Sequence, residues 1–122
     1  IMAIEPINVV VVLMGPTASG KTELAIEISK HINSKLISVD SALIYRGMDI
    51  GTAKPSKEIL TAHPHELVDI CEPEDSFSVT EFISLAKEHI KSALAEGKLP
   101  ILVGGTSFYF NALDLVSYTN LQ

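Results

Sequence analysis

The chain has 122 residues, a length that fits one domain at most. Hydrophobic residues make up 47% of it, so a folded core is expected and a disordered chain is excluded. The formal net charge is −6, whereas a protein that binds nucleic acid usually carries a basic surface.

The first predicted element is a buried strand over residues 9–13, and a glycine-bounded loop follows it directly. The loop reads GPTASGKT, a pattern typical of a phosphate-binding loop (P-loop) between a strand and a helix. Its residues are Gly15, Pro16, Thr17, Ala18, Ser19, Gly20, Lys21 and Thr22. Because glycine lacks a Cβ, the backbone can come close to a diphosphate, and the helix that follows points its N–H groups at the anion.

Two side chains of this loop have predicted roles of their own. Lys21 adds positive charge on the phosphates, and the Thr22 hydroxyl is placed to bind Mg²⁺. A tight glycine turn is the alternative reading, but it leaves unexplained why a cation opposes the helix dipole in the first turn. We therefore expect the ligand to be a phosphorylated small molecule.

Strand and helix patterns alternate along the rest of the chain. The predicted strands cover residues 9–13, 35–39, 66–70 and 101–103. The predicted helices and helical turns cover residues 22–32, 41–46, 56–60 and 107–113. One further helix is predicted to begin at a capping box formed by Ser78 and Glu81 and to end at Gly97. This order predicts an α/β fold, a P-loop NTPase-like parallel sheet flanked by helices.

Ligands of such sheets bind at the carboxyl ends of the strands, where Asp40 and Thr106 are expected to lie near the P-loop. Asp40 could act as a general base, bind a metal or cap the turn that follows it. Thr106 could hydrogen-bond a substrate or cap the last helix. The strand over residues 101–103 ends in Gly-Gly-Thr without an acid, which favours binding a diphosphate over splitting one.

Other polar residues carry weaker signals. Arg46 and Lys54 either clamp a pyrophosphate or are solvated loop cations. Cys71 is the only cysteine, so an internal disulfide and a cysteine-based zinc site are excluded, and we expect it to be a small buried apolar group. The four histidines show no metal-ligand spacing. No apolar run is long enough to cross a membrane and no basic leader is visible, so we expect a cytoplasmic protein without membrane association.

Four stretches together resemble the tRNA dimethylallyltransferase family, also called tRNA isopentenyltransferases. They read GPTASGKT at residues 15–22, DSALIYRGMDIGTAKP at 40–55, DICEPEDSFSVTEF at 69–82 and LVGGTSFYFNAL at 102–113. The resemblance implies transfer of a dimethylallyl group from dimethylallyl diphosphate to N6 of adenosine 37, beside the anticodon of a tRNA. It also implies that the P-loop holds the prenyl diphosphate, that Mg²⁺ assists and that the target base is flipped out of its stack.

By position, the resemblance implies roles for several residues. Asp40 matches the general base on N6, and Thr106 matches a threonine near the reacting adenine. The stretch that contacts the tRNA anticodon loop matches Asp40, Ser41, Ala42 and Leu43, where many members have glutamine in place of Leu43. Family members are more than twice as long, which implies that residues 1–122 are a P-loop core, an incomplete domain without the C-terminal and basic tRNA-embracing parts. We expect a monomer at full length and little tRNA modification by this piece alone.

Three other functions stay open at this point. An adenylate isopentenyltransferase would act on free AMP, ADP or ATP, although the Gly-Thr-Ala-Lys-Pro sequence at residues 51–55 resembles the tRNA enzymes. A small nucleotide kinase typically has an arginine-rich lid, and Arg46 is the only arginine here. A remnant that binds a diphosphate without catalysing transfer is the third.

Overall fold

The computed structural model describes residues 9–16, 20–47, 54–75 and 78–105. The strands in these ranges are β1 (Val11–Met14), β2 (Ser34–Ser38), β3 (His65–Glu66) and β4 (Leu99–Gly104). The helices are α1 (Lys21–His31), α2 (Lys57–Ala62), α3 (Val79–Ala95) and a one-turn 3₁₀ helix at Ser41–Ile44. Among these described helices, none combines the length and the apolar character needed to cross a membrane.

The four strands form one parallel sheet in the order β1-β4-β2-β3, which confirms the predicted α/β fold. Two backbone hydrogen bonds continue the pairing where the strands end. Gly15 N donates to Gly104 O at 3.2 Å, and Val39 N donates to Val103 O at 2.8 Å. These bonds place the ends of β1, β4 and β2 side by side, and we call this side of the sheet the carboxyl edge.

Helices cover both faces of the sheet, because alternate residues of each strand point to opposite sides. On one face, α1 packs through a buried cluster of Ala25, Leu36, Ile101 and Val103. On the other face, α3 packs through a larger cluster of Ile37, Val39, Ile44, Leu67, Cys71, Phe82, Ala86, Ile90 and Leu102. The predicted burial of Cys71 is confirmed.

The serine cap and the glycine stop predicted for α3 are confirmed. Ser78 is the N-cap, and its Oγ accepts a hydrogen bond from Glu81 N at 3.1 Å. Gly97 follows the helix at a φ of 72°, and Lys98 N donates to Ala93 O at 2.8 Å, as expected of a glycine that ends a helix. The helix predicted over residues 107–113 lies outside the described residues.

The third strand is shorter than predicted and begins one residue earlier. Only His65–Glu66 pairs with β2, whereas residues 66–70 were the predicted strand. The cause is the backbone of Leu67 and Asp69, whose φ angles of 68° and 58° belong to the left-handed region. Leu67 is only 2% exposed, so its side chain is buried in the core. The left-handed backbone at this residue is unfavourable for a leucine and persists because the surrounding structure holds it.

The end of β4 leaves no room for a side chain at Gly104. A Cβ built there would lie 2.6 Å from Val39 Cγ2, 3.0 Å from Val39 O and 3.2 Å from Met14 Sδ. We expect Gly104→Ala to lower the free energy of unfolding by about 1–3 kcal/mol, because the neighbouring strand ends must move apart. Denaturant titration followed by circular dichroism measures the change.

Gly105 provides the matched control for this substitution. Among the residues that the structure describes, a Cβ at Gly105 meets only Asp40 Oδ2, at the ordinary contact distance of 3.8 Å. Gly105→Ala should therefore change the unfolding free energy by no more than about 0.5 kcal/mol. Equal losses in the two variants would show that close packing at Gly104 is not the cause.

Candidate active site at the carboxyl edge

The predicted P-loop connects β1 to α1 at the carboxyl edge. Gly20 is the N-cap of α1 and has φ 82° and ψ 10°, a left-handed conformation that explains the glycine at this position. It offers no side chain to cap the helix, so the first turn of α1 has its N–H groups available at the end of the loop. Thr17, Ala18 and Ser19 lie outside the described residues.

Lys21 folds back over the start of this loop. Its Nζ donates to Gly15 O at 2.9 Å and to Pro16 O at 3.2 Å. Both acceptors are neutral carbonyl groups, so they hold the ammonium group at the loop without cancelling its charge. The contacts place a cation beside the helix N-terminus, an arrangement suited to an anion.

Asp40 follows the end of β2 and is half-buried. Its main-chain oxygen accepts from Leu43 N at 3.0 Å and so begins the 3₁₀ helix, while its carboxylate lies against Gly105. A cavity of about 20 Å³ opens beside the carboxylate, and we call it the Asp40 cavity. Its lining includes Lys21, Thr22, Ser38, Asp40, Leu43 and His65.

The Asp40 cavity therefore brings together predicted residues from two motifs, the P-loop and the segment after β2. Leu43 is only 7% exposed and forms an apolar wall. The backbone of Ser41 and Ala42 lies in the 3₁₀ helix next to it. Thr106 lies outside the described residues.

The two predicted clamp residues both form ion pairs with acidic side chains. Arg46 Nη1 lies 2.5 Å from Glu72 Oε1, and both of these side chains are exposed. Lys54 Nζ lies 2.5 Å from Asp69 Oδ1 and donates to Tyr45 O at 3.0 Å. The Lys54 side chain is only 4% exposed, so the alternative of a solvated loop cation is wrong for Lys54. The pyrophosphate clamp stays a prediction. To bind pyrophosphate, Arg46 or Lys54 would have to exchange its carboxylate partner for a phosphate oxygen.

Removing these two cations should have different effects on stability. Lys54→Met leaves Asp69 and a main-chain carbonyl without a buried charged partner, so we expect the unfolding free energy to fall by about 1–3 kcal/mol. Arg46→Met removes an exposed pair and should cost less than about 1 kcal/mol. Thermal or denaturant unfolding measures both. A loss of pyrophosphate affinity in Lys54→Met with unchanged stability would instead support the clamp.

The sequence interpretation missed two residues of the Asp40 cavity, Ser38 and His65. His65 Nδ1 lies 2.8 Å from His63 O, and because a carbonyl oxygen can only accept, Nδ1 carries the hydrogen. Burial lowers the pKa of the His65 imidazole below its usual 6.5, so the ring is neutral at pH 7 and Nε2 is an acceptor. Ser38 could have been found from the sequence, because it lies two residues before Asp40 and residues two apart in a strand point to the same side of the sheet. The histidine could be found only from the register of β3.

The class of protein follows from the fold: a parallel sheet whose first strand leads through a glycine-bounded loop into a helix, as in P-loop proteins. Within that class, the family model described as IPP transferase (IPPT) matches residues 43–119. The chain belongs to the IPP transferase family, which confirms the resemblance found in the sequence.

Named relatives agree with this family. The chain is 60% identical over 113 residues to the tRNA dimethylallyltransferase of Ruthia magnifica subsp. Calyptogena magnifica, covering 93% of this chain and 37% of that protein. The crystal structure of a tRNA delta(2)-isopentenylpyrophosphate transferase from Staphylococcus epidermidis matches with 49% identity and a TM-score of 0.77, over 85% of this chain and 34% of that one. A eukaryotic dimethylallyltransferase acting on tRNA matches with 27% identity and a TM-score of 0.71, over 82% of this chain and 25% of that one.

The chain thus spans 37% of the Ruthia magnifica relative and 34% of the Staphylococcus epidermidis relative. These shares agree with the expectation that family members are more than twice as long as 122 residues.

Proposed function

We propose that residues 1–122 form the P-loop core of an enzyme that transfers a dimethylallyl group from dimethylallyl diphosphate to N6 of adenosine 37 in tRNA. The observation that carries the proposal is that Lys21 of the P-loop and Asp40 line the same cavity, the Asp40 cavity. The relatives named above support the tRNA substrate. Adenosine 37 as the target and dimethylallyl diphosphate as the donor come from the resemblance in the sequence.

In the proposed reaction, the diphosphate lies on the P-loop and Lys21. The N6 amine of adenine attacks the allylic carbon, a C–N bond forms, and the C–O bond breaks as pyrophosphate leaves with the electron pair. Asp40 accepts the proton from N6, which makes the weakly nucleophilic amine competent. Lys21 and the N–H groups at the start of α1 stabilise the negative charge that develops on pyrophosphate.

Mg²⁺ is the proposed cofactor, and Thr22 is the residue proposed to hold it. Thr22 lines the same cavity as Asp40, so hard oxygen atoms of the kind that Mg²⁺ prefers are present. When bound, the ion would add positive charge beside the leaving group. In the described residues, no group of three or more His, Cys, Asp or Glu side chains could form a metal site by itself.

The proposed tRNA contact is the segment from Asp40 to Leu43, with the adenine flipped into the site and Thr106 close to it. The Leu43 side chain is buried and has no hydrogen-bonding group, so it cannot read a base by hydrogen bonds. The chain itself is acidic, with a net charge of −6. We therefore propose that the basic tRNA-embracing surface belongs to the part of the longer family members that these 122 residues do not match. A cytoplasmic monomer is part of the same proposal.

The decisive experiment joins these 122 residues to the remaining sequence of the Ruthia magnifica relative and assays the chimera. Radiolabelled dimethylallyl diphosphate is offered with tRNA, or with free AMP, ADP or ATP. We expect label on tRNA only. Label on free nucleotides alone would identify an adenylate isopentenyltransferase, and movement of the γ-phosphate of ATP would identify a kinase. Binding of the diphosphate without any transfer would identify an inactive remnant.

A further inference from the structure

We propose that the Asp40 cavity holds one water molecule that bridges Ser38 Oγ and His65 Nε2, and that these two side chains are positioning residues for the Asp40 carboxylate. The bridge itself is independent of the proposed function. Its effect on prenyl transfer rests on that function.

Strand register places the three side chains on one face of the sheet. Leu36 of β2 pairs with His65 of β3, so their side chains point to the same side. Leu36 packs against α1, and Ser38 and Asp40 follow it at a spacing of two. Ser38, Asp40 and His65 therefore share the face that α1 covers, beside Thr22.

Two polar atoms in the cavity wall have no hydrogen-bond partner among the described residues. They are Ser38 Oγ and His65 Nε2, and Ser38 is only 2% exposed. A buried polar atom without a partner costs about 1–3 kcal/mol, and such atoms in folded proteins are usually bonded to protein or to ordered water. Both residues line the Asp40 cavity, so we infer that one ligand there satisfies both atoms.

The volume of the cavity selects that ligand. At about 20 Å³, it accommodates one water molecule, which needs roughly 10–15 Å³ by the same kind of measure. It is too small for a phosphate group or an adenine ring, so the proposed substrates would bind outside this cavity. Besides Lys21, whose ammonium group donates to Gly15 O and Pro16 O, four polar side chains lie in the wall. They are Thr22, Ser38, Asp40 and His65, and they can supply the two to four hydrogen bonds that a buried water makes.

The hydrogen on Nδ1 sets the direction of the bridge. His65 Nδ1–H donates to His63 O, so Nε2 can only accept, and the water must donate to it. The water oxygen can then accept from the Ser38 hydroxyl. The second water hydrogen is available to the Asp40 carboxylate, and a hydrogen bond donated to a carboxylate stabilises its ionised form. The ionised form is the one that a general base requires.

The first test uses the 122-residue chain and depends on no activity. Water–protein NMR cross-relaxation should show a long-lived water next to Hε1 of His65, and ¹⁵N shifts should show Nε2 without a hydrogen. Ser38→Val fills the cavity and should remove the water signal. Absence of the water in the native chain, or a hydrogen on Nε2, would overturn the bridge.

The second test addresses positioning. The ¹³C shift of the Asp40 carboxyl carbon should change in His65→Leu and return towards the native value in His65→Gln, whose side-chain oxygen offers an acceptor near the position of Nε2. His31→Leu is the matched control, since its side chain is 74% exposed on α1. An unchanged Asp40 signal in His65→Leu would refute the positioning role even if the water is present.

In the chimera described above, His65→Leu should lower kcat for tRNA prenylation about tenfold, with an unchanged KM for dimethylallyl diphosphate and recovery in His65→Gln. Loss of affinity with unchanged kcat would contradict the assignment. If the native chimera transfers no prenyl group, the proposed function fails, whereas the two NMR tests still decide the bridge and the positioning of Asp40.

Discussion

Lys21→Ala should weaken the binding of dimethylallyl diphosphate by about 10- to 100-fold, because a hydrogen bond to a charged group contributes about 1.5–3 kcal/mol. In the free chain the Lys21 ammonium contacts only the carbonyl groups of Gly15 and Pro16 among the hydrogen bonds described for it. Its removal should therefore affect the ligand more than the fold. Isothermal titration calorimetry with Mg²⁺ measures the affinity, and a thermal melt verifies folding.

Lys30→Ala is the matched control for this prediction. Lys30 lies on the same helix, is 55% exposed and pairs only weakly, at 3.5 Å, with Glu27. Its loss removes one positive charge from the chain without touching the loop. Equal losses of affinity in both variants would mean that overall charge, not the ammonium at the loop, attracts the diphosphate.

Asp40→Asn should slow prenyl transfer by about 10²- to 10⁴-fold, because the amide keeps the shape of the carboxylate but cannot accept the N6 proton. The affinity for dimethylallyl diphosphate should fall much less than in Lys21→Ala, since a base acts on the other substrate. Single-turnover transfer to tRNA by the chimera, combined with calorimetry on the 122-residue chain, separates the two effects.

Asp75→Asn controls for the loss of a carboxylate, because Asp75 lies exposed in the turn before α3. It should leave transfer unchanged. The assignment of Asp40 as the base would be wrong if Asp40→Asn lost as much diphosphate affinity as Lys21→Ala while single-turnover transfer of bound substrate stayed fast.

Features encoded by neighbouring residues could be predicted from the sequence. The alternation of strands and helices, the serine cap of α3 and the glycine that ends it depend on residues a few positions apart. The strand–loop–helix arrangement around Gly20 also depends on residues that are close together in the sequence. They were confirmed because local backbone preferences and tertiary packing agree there.

Features that depend on distant contacts could not be predicted. β3 ends at Glu66 because Leu67 is buried in the core with a left-handed backbone, which no local pattern indicates. Lys54 pairs with Asp69, fifteen residues away in sequence. The place of His65 in the Asp40 cavity follows from its register with Leu36, and register is a property of the assembled sheet.

The ion pairs of Arg46 and Lys54 have a consequence for the chain between them. Their partners, Glu72 and Asp69, lie three residues apart, so both ends of the intervening segment are fastened to one short stretch of backbone. Holding Arg46 and Lys54 beside one stretch of backbone closes a loop of the chain, and the entropy of that closure is lost on folding.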